Sequence, residues 1–62
     1  MLERRLSVPG LEEVYDLIAE GIDRAGSAKA KLFLAKLSLA LANLLGDLPQ
    51  VKHAVETSLR DL

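Results

Sequence analysis

The stretch AKAKLFLAKLSLALANLLG, Ala28 to Gly46, decides the fold. Placed on a helical wheel at about 100° per residue, it has two apolar faces instead of one. Lys29, Lys36 and Asn43 recur at heptad spacing along one edge, and Lys31 and Ser38 mark roughly the opposite edge. Between these strips lies a larger oily side, Ala30, Phe33, Leu34, Leu37, Leu41, Leu44 and Leu45, and a smaller one, Ala28, Leu32, Ala35, Leu39 and Ala42.

Outward from this helix, punctuation residues mark its neighbours. Gly26 supplies a left-handed C-terminal position for a preceding helix, Leu11 to about Ala25, and Ser27 is placed to cap the central one. Pro9 and Gly10 read as a turn, with Glu12 and Glu13 in the first helical turn that follows, where the macrodipole favours negative charge. Gly46 closes the central helix. Asp47, Leu48, Pro49 and Gln50 then resemble a capping box with proline in the first turn, opening a third helix from about Pro49 towards Arg60. β-Branched residues are few and no alternating run is bounded by hairpin turns, so the fold class is all-α, with three short helices. Residues 1–9 read as an arm or a short extra turn ahead of a single domain spanning 1–62.

The outer helices each bury one face. The first aligns Leu11, Val14, Tyr15, Ile18, Ile22 and Ala25, and Tyr15 is expected to pack there with its oxygen at the rim. The third aligns Leu48, Val51, Val55, Leu59 and Leu62, opposite the exposed ladder Lys52, Glu56 and Arg60. Short connections favour packing both outer helices on the larger face of the central one, which leaves Ala28, Leu32, Ala35, Leu39 and Ala42 for a partner. Leaving Leu32 and Leu39 in water forfeits roughly 1.5–3 kcal/mol for each leucine. The alanines, one heptad apart, would let two helix backbones approach closely. The expected architecture is therefore a helical bundle completed by homodimerisation, with an intrachain sandwich of the central helix as the alternative.

Size points the same way. A chain of 62 residues can shelter little apolar surface in a core of its own, yet 50% of this one is hydrophobic. It has no cysteine, so a disulfide staple is unavailable, and association is the remaining common one. Absence of cysteine and of an apolar signal core near Arg4 and Arg5 fits a cytoplasmic protein. The run Leu32 to Leu45 is too short for the ~20 residues of a membrane span and is broken by Lys36, Ser38 and Asn43. With a net charge of -1, the chain offers no footprint for nucleic acid.

A search for chemistry yields no catalytic constellation, so no enzyme is expected, and no cofactor or metal. His53 is the single histidine and falls on the polar side of the third helix. Glu12, Glu13, Asp16, Glu20 and Asp23 have the spacing of any solvated acidic face, and glycines occur singly, without a phosphate loop. Asn43, among leucines, either fixes the register of helix packing or sits at a half-exposed boundary.

The segment LAKLSLALANLLGD, Leu34 to Asp47, together with VYDL at Val14 to Leu17, resembles a family of short bacterial proteins known as a domain of unknown function. In that family an aromatic residue in the first helix precedes a leucine- and alanine-rich helix ending Ala-Asn-x-x-Gly-Asp, here Ala42, Asn43, Gly46 and Asp47. Members often carry a histidine where this chain has Gly21, Ile22 or Leu44, so a ligand site shared through those positions does not carry over. The resemblance implies an accessory role beside flavin-dependent hydroxylases and other aromatic-degradation enzymes. Two functions compete on these grounds: a homodimeric protein-interaction module, and a binding module holding an apolar molecule between helices. For the first, the acidic side of helix one, Glu12, Asp16, Glu20 and Asp23, is the candidate docking strip for a partner enzyme, against the plainer alternative of a solvated face.

Overall fold

A computed structural model describes residues 5–60 and residue 62. The fold is all-α: helix α1 spans Val8–Ala25, α2 spans Ala30–Leu45 and α3 spans Leu48–Leu59. Helix α1 begins before Leu11, because Ser7 is its N-cap. The Ser7 hydroxyl accepts from the Gly10 N–H at 3.1 Å, and Pro9 occupies the first turn, where its missing N–H costs nothing. Val8 and Pro9 thus belong to the helix and not to an arm; residues 1–4 of that expected arm lie outside the described residues. In consequence Glu12 and Glu13 fall beyond the first turn, out of reach of most of the macrodipole effect assigned to them.

The two connections are short and differ in chemistry. Gly26 ends α1 at φ 80° and ψ 159°, not in the left-handed helical conformation expected of it but in an extended positive-φ region essentially closed to residues with a Cβ, while its N–H still reaches the Ile22 carbonyl at 3.0 Å. Ser27 does not cap α2. The cap position falls to Lys29, without a side-chain hydrogen bond, so Ala28 lies in the turn that precedes α2. At the other end Gly46 takes the left-handed conformation, φ 67° and ψ 25°, and donates to the Ala42 carbonyl at 2.9 Å. Asp47 then caps α3: one carboxylate oxygen accepts from the Gln50 N–H at 3.1 Å and the other from the Gln50 side-chain amide at 2.8 Å. The glutamine closes the box on the capping carboxylate instead of on its backbone N–H.

The principal packing is α1 on α2. Val14, Ile18, Ile22 and Ala25 face Ala30, Phe33 and Leu37, all half-buried. What brings the two helices together is Gly21. A Cβ built there would overlap the Phe33 ring at Cζ and come within 2.8 Å of Cε2, so the ring sits in the gap left by the missing side chain. Tyr15, one residue off the line of Val14 and Ile18, is turned roughly 100° away from α2. It is 73% exposed and is not a core residue.

Helix α3 meets the pair only sparsely. Its half-buried stripe is Val51, Ala54 and Thr57, whereas Leu48, Val55 and Leu59, expected on that face, are exposed. The helix is placed so that Val55 and Leu59 border an open groove, which Leu48 does not line. No described residue is buried. The accessible surface of 5727 Å² exceeds by roughly 1,800 Å² what a compact monomer of 6.7 kDa exposes. The radius of gyration is 12.6 Å, against about 10.6 Å for a compact chain of this length. Sandwiching of α2 between its neighbours does not occur, because α3 is held to one side by its two-residue connection and Leu32 and Leu39 stay in solvent.

Candidate interaction surface

Three surfaces arise from this arrangement. The first is the outer side of α2, opposite α1. Leu32 is 58% and Leu39 72% exposed, and Ala35 between them is exposed as well. The other two alanines depart from the expected stripe. Ala28 is exposed in the turn before the helix, and Ala42 is half-buried because it faces towards α3. The uncovered strip is accordingly shorter than the sequence implied and centred on Leu32, Ala35 and Leu39.

The second surface is the open groove between α2 and α3, about 430 Å³, with Leu41, Ala42 and Leu45 on one wall and Val51, Val55 and Leu59 on the other. Ser38 and Ser58 also line it; the Ser38 hydroxyl donates to the Leu34 carbonyl at 2.7 Å, which commits its proton and leaves its oxygen able only to accept. No lining residue carries a charge. A shallower depression beside the α1–α2 contact, about 390 Å³, is lined by Leu32, Phe33 and Leu37 with Lys29 and Lys36 at its edge.

The third is the acidic strip. Glu12, Asp16, Glu20 and Asp23 are all exposed on the side of α1 turned away from Phe33. They form a solvent-facing row and do not converge on a point. His53 is exposed on α3, and Asn43 is exposed at the edge of α2. Among the described residues no group of three or more histidines or carboxylates could hold a metal ion. No helix there is long and apolar enough to cross a membrane.

The strip and the groove therefore bring together mainly apolar side chains, with Ser38 and Ser58 in the groove. No family model, curated protein or solved structure matches the chain. The surface has to be read from its own residues. Two of its determinants escaped the sequence reading. The groove depends on the rotation of α3, which periodicity leaves open. The seat of Phe33 on Gly21 had a visible signal, a glycine inside a strongly helical run where alanine would be favoured by about 1 kcal/mol.

Proposed function

We propose that this protein is a non-enzymatic interaction module that completes its helical fold by pairing with a second copy and then serves as an accessory to another protein in the cytoplasm. One observation carries this: a chain with no buried residue among those described leaves four leucines of its central helix, Leu32, Leu39, Leu41 and Leu44, more than half exposed. Contiguous apolar surface of that kind marks an association site in a soluble chain. The strip Leu32, Ala35 and Leu39 is itself uncharged, with Lys29 and Lys36 along one edge, so a second copy of the same apolar strip matches its centre. Sedimentation velocity across nanomolar to micromolar concentration tests it. The expected result is a mass of two chains at micromolar protein, with helicity falling as the pair dissociates. A compact, stably folded monomer throughout would refute it.

The accessory role rests on the resemblance of Val14 to Leu17 and Leu34 to Asp47 to the bacterial family described above, and the partner proposed on that ground is an oxidoreductase. Glu12, Asp16, Glu20 and Asp23 lie away from the apolar strip and remain available in a dimer, as a docking strip should. A pull-down from native extract is expected to recover a partner enzyme with the wild type, and to lose it with Asp16→Lys/Glu20→Lys at low salt. Equal recovery by both proteins would remove α1 from the contact.

The α2–α3 groove favours a second reading, a site for an apolar molecule, because its volume of about 430 Å³ lies within the range of ligand pockets. Its walls lack an aromatic side chain and converging polar groups, the features that give such pockets affinity and orientation. Mass spectrometry of the protein under native conditions, as purified from cells, distinguishes the two.

A further inference from the structure

We infer that, in the homodimer proposed above, the α2–α3 hairpins of two copies interlock, each α3 lying in the other's groove, so that α2 and α3 of both chains form one four-helix core with α1 outside it. This rests on the pairing reading and assigns the surface that does most of the burying. The first reason is area. A stable interface of ordinary size takes about 800 Å² from each partner, and the chain exposes roughly 1,800 Å² more than a compact monomer of its mass. A single strip of two leucines and an alanine on α2 is too small to remove that excess, whereas a groove with two apolar walls adds a comparable surface on each chain.

The second reason is the chemistry of the walls. Leu41, Leu45, Val51, Val55 and Leu59 present only aliphatic groups, and the polar side chains of the lining are the uncharged Ser38 and Ser58, so the occupant must be uncharged and largely apolar. A nucleic acid or a phosphorylated peptide would leave its charges unpaired there. The side chains of α3 that border the groove, Val55 and Leu59, are themselves more than half exposed, so the same helix that forms one wall needs cover. A two-fold axis through the groove satisfies both demands at once, because in an isologous contact the surface that covers is also the surface that is covered. The third reason is that the groove has a defined opening. Gly46 in its left-handed conformation and the Asp47–Gln50 cap set the turn between α2 and α3 with hydrogen bonds of 2.8–3.1 Å, and the two walls are presented by that turn. The outer edge of α3 carries Lys52, Glu56 and Arg60, of mixed sign, which leaves no repulsive row at the rim.

The test uses the full wild-type chain, mixed as equal parts of ¹³C-labelled and unlabelled protein, with isotope-filtered NOE spectra recorded alongside sedimentation. The expected result is a dimer with intermolecular NOEs between the methyl groups of Leu41 and Leu45 in one copy and Val55 and Leu59 in the other. Val55→Arg should then raise the dimer Kd at least about a hundredfold. A dimer whose intermolecular NOEs are confined to Leu32, Ala35 and Leu39 would overturn the interlocked core while leaving pairing intact. A monomer at every concentration would overturn both. NOEs from the groove methyls to a co-purified small molecule would also overturn it.

Discussion

Leu39→Glu is expected to weaken self-association at least about a hundredfold and to lower the thermal midpoint in the same experiment. Leu39 is 72% exposed in the single chain, so the substitution removes little intrachain packing and its effect reports on what covers the residue. Burial of one leucine is worth roughly 1.5–3 kcal/mol, and a two-fold contact loses it twice. The introduced carboxylate adds a desolvation cost wherever the partner would enclose it. A loss of about 3 kcal/mol corresponds to more than two decades in Kd. On the pairing proposed above, folding and association should fail together, since no described residue is buried within the single chain. Leu17→Glu is the control: Leu17 is 59% exposed on α1, outside the α2 strip, and the same chemical change there should alter mass and midpoint far less. Sedimentation and thermal melts of the two variants at matched concentration decide the matter. An unchanged mass and midpoint for Leu39→Glu would remove this side of α2 from any interface.

Gly21→Ala is expected to destabilise the chain, although an exposed helical glycine replaced by alanine ordinarily gains about 1 kcal/mol. The new methyl would overlap Phe33 at Cζ and lie 2.8 Å from Cε2. Rotating the ring about its own axis gives no relief at Cζ, which lies on that axis, so either Phe33 changes rotamer or α1 moves off α2. Overpacking of this kind costs about 1–3 kcal/mol, and the direct overlap places it at the upper end, leaving a net loss of about 1–2 kcal/mol. For a chain of this size that lowers the midpoint by roughly 4–16 °C. Shortening the ring side chain should reverse the sign: in a Phe33→Leu background the same Gly21→Ala change is expected to be neutral or stabilising. Circular-dichroism melts of the four proteins form a double-mutant cycle, and a positive shift for Gly21→Ala alone would disprove the close approach.

Local chemistry was legible without any coordinates. Gly26 and Gly46 announced the helix ends, Asp47 and Gln50 announced the cap of α3, and the two-faced pattern of Ala28 to Gly46 announced a central helix with more than one apolar side. These features depend on residues within a few positions of each other. Ser7 carried the same information for α1, and Pro9 was misread as a turn because proline serves equally in a turn and in a first helical turn. The expected stripe of Tyr15 failed for a different cause. Residues 14 and 15 both lie near an apolar arc, and which of them meets α2 depends on where Gly21 admits Phe33.

What the sequence determined by itself is the class, the number of helices and the excess of apolar surface, since helix punctuation and periodicity are written at short range. What only the tertiary structure decided is the rotation of each helix about its own axis. That rotation turned Ala42 towards α3, left Val55 and Leu59 exposed and opened a groove between Leu41 and Val55. The physical reason is that a wheel gives relative directions on one helix, while the direction that faces inward is chosen by contacts between helices, here a ring resting on a glycine twelve residues away.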